Sequence, residues 1–328
     1  MGGASHAGTV RVGLLYAVAA YGMWGLVPLY FKNVSCPPLE IVAHRVLWSA
    51  VFLSLLVTIL RRWPEVRAAL RSRRTLLMLF ASAYLVAGNW FVYVYATDSK
   101  QITQASLGYF ILPLVNVFAG IALFGERLRV PQAVALLIAA SGVVYLTVSI
   151  GTLPWISLTL AFSFAVYGIV RKVVPVDGAI GLTVETAWLA PTAIVFLIFW
   201  ERAGAMQFGH VDRQLDGLIA LSGIVTTLPL ICFAQAVRKV SLVTIGVVQY
   251  MSPSLQLVVA VLVYGEDFEL KHQISFGLIW AGLAVYVADA IRMAARRRAG
   301  PATEPVPEPL DGGVPLTDSQ LVARVRRD

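Results

Sequence analysis

Charge is scarce in this chain. Asp, Glu, Lys and Arg make up 13% of the residues, where a typical soluble domain carries about 25%. The acidic side is the thinner one, with 18 Asp and Glu against 26 Lys and Arg. Histidine occurs four times and cysteine twice. Two thiols, Cys36 and Cys232, supply neither a zinc site nor a disulfide framework and read as small hydrophobes. The sequence also lacks His-Glu-x-x-His, Gly-x-Ser-x-Gly, a P-loop and any pair of carboxylates inside one apolar segment. An enzyme embedded in the membrane would therefore have no recognisable site, no metal or other cofactor is expected, and direct ATP drive would require another chain.

What is present is hydrocarbon. The apolar fraction is 58% before the 26 glycines are added, and the mean hydropathy is +0.76. A globular core of this length could not hide so much apolar surface, so the composition excludes a soluble enzyme and places the chain in a bilayer. The stretch Val12 to Phe31 spans about 20 residues, enough to cross a hydrocarbon layer of about 30 Å. No small-residue cleavage site follows it, so it reads as a span rather than a leader. The sequon Asn33-Val34-Ser35 hugs the end of that span and reads as chance. Nine further apolar segments follow, near 40–60, 75–96, 105–124, 132–150, 154–170, 181–199, 215–236, 242–263 and 274–291. Residues 299–328, with Pro301, Pro305, Pro307, Pro309 and Pro315 and no long apolar run, are expected to be a disordered cytoplasmic tail.

The basic residues give these spans a direction. With the N-terminus in the cytoplasm, the inner ends collect Arg11, the run from Arg61 to Arg74, Arg127 and Arg129, Arg171 and Lys172, Arg238 and Lys239, and the arginines from Arg292 to Arg298. The outer ends hold only Lys32, Lys100, Arg202, Arg213 and Lys271. Every loop then obeys the positive-inside rule. The excess of positive charge accordingly marks topology, and no nucleic-acid partner is expected. Ten transmembrane helices with both termini cytoplasmic is the predicted arrangement of an all-α polytopic membrane protein.

The two halves repeat one pattern. Ser106-Leu-Gly-Tyr-Phe110-Ile-Leu-Pro113-Leu-Val-Asn116 lines up with Gly246-Val-Val-Gln-Tyr250-Met-Ser-Pro253-Ser-Leu-Gln256 at a constant offset. The same register sets Gly125-Glu126 on Gly265-Glu266 and Gly142 on Gly282. Each half, 11–150 and 154–291, holds five helices, an odd number, so the second must enter the membrane inverted. Inverted repeats recur in secondary transporters, because exchanging the conformations of the halves converts an outward-open shape into an inward-open one.

Several motifs carry a resemblance. Tyr21-Gly-Met-Trp24-Gly25-Leu-Val-Pro28-Leu-Tyr30-Phe-Lys32, Glu40-Ile-Val-Ala-His44-Arg45-Val-Leu-Trp48-Ser49, Gly88-Asn89-Trp90, Ala105-Ser106-Leu-Gly108-Tyr109-Phe110 and Gln249-Tyr250-Met-Ser-Pro253 resemble those of the RarD-type permeases. These form part of the EamA branch of the drug/metabolite transporter superfamily. The resemblance covers roughly residues 11–291 and leaves out the Pro-rich tail. It implies a ten-helix inner-membrane permease, and through the family's label a connection to chloramphenicol.

Within the spans a few residues stand out as candidates. Arg45 carries a charge inside a span, about five residues below its outer boundary; at a helix centre such a charge costs about 2.5–3.5 kcal/mol on insertion scales, and snorkelling towards the boundary relieves part of that. It reads either as a substrate or gate residue, or as a structural partner of a carbonyl or of Glu40. His44 beside it titrates near neutral pH or is simply hydrogen-bonded. Glu185 sits in register with Arg45 but near the opposite membrane face, about 15 Å away along the normal, so the two are expected not to pair. Glu185 is the candidate for a coupling proton, with a structural hydrogen bond as the competing reading. Asn89, Asn116 and Gln256 either glue helices or bind substrate, and Trp90 and Tyr109 either stack on a ligand or pack. Pro113 and Pro253 are candidate hinges that free the carbonyls of Tyr109 and Gln249. Glu126 and Glu266 are expected to stabilise the N-terminal dipoles of the fifth and tenth spans. The predicted function is secondary transport, in the export direction, of a small organic metabolite or drug. A passive facilitator of the same fold is the alternative, and monomer and homodimer both stay open.

Overall fold

The structure is a computed structural model that describes residues 2–99, 101–150, 155–265 and 269–298. The Pro-rich segment 299–328 and Glu266 lie outside the described residues. All regular structure among the described residues is helical. In chain order it runs α1 (Gly2–Phe31), α2 (Pro38–Ile59), α3 (Trp63–Arg71), α4 (Arg73–Asp98), α5 (Ile102–Phe124), α6 (Val130–Ile150), α7 (Trp155–Val173), α8 (Gly178–Arg202) and α9 (Arg213–Lys239). It continues with α10 (Leu242–Gln249), α11 (Met251–Val258), a π-helical turn at Val259–Val263, and α12 (Leu270–Arg298). Ten stretches are long and apolar enough to cross a membrane, the ninth being Leu242–Val263. At most half of each span's most apolar window is buried. The outward faces carry residues such as Leu15, Leu55, Leu123, Leu137 and Leu262, as a lipid-facing exterior requires.

The short α3 was not signalled by any apolar run. It is amphipathic, begins with Pro64 in its first turn, and buries only Val66 and Ala69. Those two pack against Val57, Leu79, Val174, Ile180 and Val184. Tertiary burial of one narrow face, rather than overall hydropathy, makes this segment a helix.

Packing groups the residues through Tyr286 into one compact unit; beyond it α12 continues to Arg298. Inside the unit the main helix contacts cross between the two sequence halves. Helix α1 packs on α9, α2 on α8 and α9, α4 on α7 and α8, and α5 on α7 and α10. The glycines at two crossings show the same contact made twice with partners exchanged. A Cβ on Gly142 would fall 2.7 Å from the carbonyl oxygen of Ser275, and one on Gly282 would fall 2.5 Å from that of Ala135. In the sequence register Gly142 matches Gly282 and Ala135 matches Ser275. Likewise Tyr250 donates to the carbonyl of its register-mate Phe110 at 3.4 Å. Gly125 and Gly265, also matched, both adopt the left-handed region at φ 62° and 67°, where a side chain is disfavoured.

The two register-matched prolines differ. Pro113 lies inside a continuous α5. The ninth span instead breaks at Tyr250, between α10 and α11, and loosens again into the π turn. Glu126 also departs from expectation. Its carboxylate accepts from the backbone N–H of Leu242 at 2.7 Å and of Val243 at 2.8 Å, so it stabilises the start of the ninth span rather than the fifth. Loops at one end of the bundle decide this pairing, and helix order in the sequence does not show it. Glu126→Ala is expected to destabilise the protein by about 1–2 kcal/mol, with Glu126→Gln intermediate, measured as a shift in unfolding midpoint in detergent.

Candidate substrate site

Arg45 is delivered by α2, whose buried face (Ile41, Ala43, Val46, Ser49) packs into the bundle. The guanidinium is only partly buried. Its Nε–H donates to Thr226 Oγ1 on α9 at 2.8 Å. Its Cζ lies 4.8 Å from the ring centre of Trp90 on α4 and 5.6 Å from that of Phe31 on α1. The phenols of Tyr30, Tyr93 and Tyr109 stand close enough to feel its charge, and the Tyr93 and Tyr109 rings are 6.3 Å apart. Among the described residues no carboxylate comes within ion-pair distance of Arg45, and Nη1 and Nη2 have no protein acceptor. The result is a cation in an aromatic cage with two of its three nitrogens uncommitted.

Beside this cage, sharing Trp90 and Thr226 with it, a narrow cleft lies between α2, α4, α8 and α9. Trp90 and Thr226 line one part of it, and Ser49, Thr186, Thr227 and Glu185 add polar groups. Thr227 is 1% exposed, and its Oγ1 has no hydrogen-bond partner among the described residues.

Glu185 has a committed partner, and it is Arg171 rather than Arg45. Arg171 Nη1 donates to Glu185 Oε1 at 3.3 Å, with both side chains sealed from solvent. Ser82 donates to the same oxygen, and Tyr167 lies 3.5 Å from the other. Arg171 Nη2 donates to the carbonyl of Gly178 at 3.0 Å, and a side chain at Gly181 would collide with the guanidinium. Counting Arg171 among the basic residues at a membrane end concealed this pair. Helix geometry could have exposed it: Arg171 sits two residues before the end of α7 and Glu185 seven after the start of α8. Those positions differ by about 8 Å in depth at 1.5 Å per residue, within reach of two long side chains.

Each end of the bundle is closed by polar contacts. At one end the buried Glu40 accepts from Trp200 Nε1 at 3.1 Å and from the backbone N–H of Gln207 and Phe208 at 2.9 Å each. His44 stacks on Phe208 with ring centres 4.6 Å apart, and its ring nitrogens find no hydrogen-bond partner. His44 therefore belongs to this seal and not to the Arg45 cage. At the other end Arg62 Nη1 donates to Asp177 at 3.1 Å, Gln235 donates to the same carboxylate, and Lys172 donates to the carbonyls of Val237 and Val240. Burial alone would raise the Asp177 carboxyl. The bonds from Gln235, Arg62 and the Ala179 N–H outweigh burial and hold it below its ordinary value.

The amides lie elsewhere. Asn89 spends its Nδ2 on Leu160 O and Ser163 Oγ, both at 2.9 Å, tying α4 to α7. Asn116 donates to Gln249 Oε1 at 2.8 Å, with Tyr21 OH at 3.4 Å from the same oxygen. Gln256 donates to Trp24 O at 3.2 Å, the carbonyl that Pro28, four residues on, leaves without an N–H. Asn116, Gln249 and Tyr21 form a second polar cluster where α5, α10 and α1 meet. Of the sequence candidates, Trp90 and Tyr109 join Arg45 in the cage, and Glu185 lines the cleft beside it. Thr226, Tyr30, Tyr93 and Phe31 were missed, because no sequence signal relates the rotation of α9, α1 or α4 to that of α2. Among the described residues no group of three His, Cys, Asp or Glu stands together as a metal site would need.

Ten stretches long and apolar enough to span a bilayer, with an uncommitted cation held beside a polar-lined cleft, define a multi-pass membrane protein. The model for the EamA-like transporter family matches residues 11–148 and again 153–288. The chain belongs to the EamA-like transporter family, and transport is its class of function. The Protein RarD of Escherichia coli (strain K12) is 41% identical over 282 residues, 86% of this chain and 95% of that one. A protein described as an uncharacterized transporter in Vibrio cholerae serotype O1 is 41% identical over 290 residues, 88% of this chain and 96% of that one. The Chloramphenicol-sensitive protein RarD of Pseudomonas aeruginosa is 30% identical over 286 residues, 86% of this chain and 95% of its own length. One solved structure, 18% identical, aligns with a TM-score of 0.66 over 84% of this chain and 97% of that one, which speaks to fold alone.

Proposed function

We propose that this chain is a secondary active exporter of small organic metabolites or drugs across the bacterial inner membrane. It works by alternating access between two inverted five-helix repeats, 11–150 and 154–291, with both termini cytoplasmic. The observation that carries the reading is the half-buried Arg45, held inside the second span with Nη1 and Nη2 unpaired among the described residues. Such a charge is costly in a bilayer unless a wet cavity or a solute meets it. The exchanged contacts of Gly142 with Ser275 and Gly282 with Ala135 support the repeat, since a two-fold relation generates contacts of that form. The Glu40 seal and the Arg171–Glu185 pair are then two gates on opposite faces. Protonation of Glu185 would discharge its side of the second gate, which gives a proton a way to couple. Pro113 and Pro253 serve as the bending points of the two halves. The name of the Pseudomonas relative makes chloramphenicol one compound to include among the candidates.

The test is mass spectrometry of spent medium from cells producing the wild type or Arg45→Gln at matched membrane abundance. A small set of compounds is expected to accumulate outside only with the wild type, falling about tenfold or more in the variant, the scale of one lost charged hydrogen bond. Identical media would overturn export. Accumulation that survives collapse of the proton gradient would favour the passive facilitator.

A further inference from the structure

Resting on that reading, we infer that the substrate presents a planar oxyanion, most simply a carboxylate, to the Arg45 fork and lays a flat aromatic body against the cage. The charge of the site selects the sign. Glu185 is spent on Arg171 and Glu40 on the N–H groups of Trp200, Gln207 and Phe208. A cationic solute would thus meet a guanidinium and no free carboxylate. A neutral solute would leave that guanidinium without a counter-charge when the cavity closes, in a setting where unpaired charge is expensive.

The shape of the guanidinium selects the headgroup. Thr226 holds Nε–H at 2.8 Å, which fixes the plane of the fork. The Nη1 and Nη2 edge is left for two parallel N–H···O bonds, a geometry that matches carboxylate. The walls select the body. Trp90 lies 4.8 Å from Arg45 Cζ, and the rings of Tyr93 and Tyr109, whose phenols stand near the same guanidinium, form a tilted pair 6.3 Å apart. A planar ring inserted here would stack on aromatic faces and exclude water from the ion pair. Thr227 supplies an independent pointer. Its hydroxyl is buried without a partner among the described residues, in the wall shared with Thr226 and Trp90. Buried hydroxyls in folded proteins are almost always bonded, so Thr227 waits for a second polar atom of the solute or the water that travels with it.

The experiment uses the full chain in lipid nanodiscs and equilibrium binding of three radiolabelled acids, phenylacetate, 3-phenylpropionate and indole-3-acetate. The corresponding amides and amines serve as competitors. At least one acid is expected to bind saturably, its amide about tenfold or more weaker and its amine without measurable competition. Arg45→Lys keeps the charge but loses the fork and is expected to weaken acid binding about tenfold, whereas Arg45→Gln should erase the preference for acid over amide. Thr227→Val, which removes a hydroxyl that no described residue uses, should leave the unfolding midpoint unchanged while weakening binding. Failure of all three acids to bind monodisperse protein overturns the inference. So does equal binding of acids, amides and amines, or unchanged acid affinity in Arg45→Gln. The spent-medium assay separates the two claims: exported cations would keep the transport reading and defeat this one. Acids that bind without being moved would do the reverse.

Discussion

Arg171→Met is expected to destabilise the folded protein by about 3–5 kcal/mol, among the largest effects of any single substitution, because it strands the carboxylate of Glu185 in the bundle. Glu185 is 1% exposed and Arg171 fully buried, so neither charge can turn to water. Ser82 and Tyr167 would remain as donors to the orphaned carboxylate, which limits the damage without replacing a cation. The double variant Arg171→Met with Glu185→Leu removes both charges and is expected to recover most of the lost stability, since apolar replacement of a whole buried pair is often neutral or better. Unfolding midpoints in detergent for the two single variants and the double complete the cycle. A double variant no more stable than Arg171→Met would show that packing around Gly181, rather than charge balance, governs the site. If the pair is a gate as proposed, the recovered double variant should remain folded yet fail to concentrate solute.

Gly223→Leu is expected to prevent stable folding, and Gly223→Ala to cost about 1–3 kcal/mol. At this crossing α9 lies directly on α2. A Cβ at Gly223 would fall 2.6 Å from Trp48 Cβ and 2.7 Å from the backbone nitrogen of Ser49. Backbone cannot rotate aside as a flexible side chain can, so the helices must separate. Separation would also break the bond from Ser49 Oγ to Gly223 O at 3.1 Å and pull Thr226, one turn further on, away from Arg45. Gly217 on the same helix is the control. Nothing lies within 4 Å of its Cβ direction, so Gly217→Ala should be neutral or stabilise by up to about 1 kcal/mol through helix propensity. Similar losses at both glycines would refute the close-approach argument.

What the sequence disclosed and what it withheld divide along a physical line. Hydropathy measures transfer into lipid, so the ten spans and the loops between them were legible to within a few residues. Arg45 and Glu185 stood out for the same reason, as charges where charge is costly. The partners were not legible. Arg171 was hidden by its position near a helix end, where an arginine ordinarily faces the membrane surface. Thr226 and the tyrosines around Arg45 come from four other helices, and a span apolar on most faces gives little sign of which one turns inward. Glu126 was recognised as a helix-terminal carboxylate, but the terminus it serves belongs to α10, more than a hundred residues away. The donors of Asn89 turn out to be spent on α7. A polar residue inside a span signals that it needs a partner, and the sequence is silent on whether protein or solute supplies one.

The turn at Tyr250 interrupts the ninth span while its backbone stays in the right-handed helical region, whereas the register-mate α5 runs without interruption. The segment beyond the turn, Met251 to Val263, is about 20 Å long at 1.5 Å per residue, so a bend of about 10° there displaces its far end by roughly 3–4 Å. The section before the turn can stay seated on α5 meanwhile. In α5 the corresponding weak point is Pro113, which offers no N–H to the carbonyl of Tyr109. Halves written in the same register thus carry their weak points at different places: α5 only at its proline, the ninth span already at Tyr250, three residues before the matching Pro253.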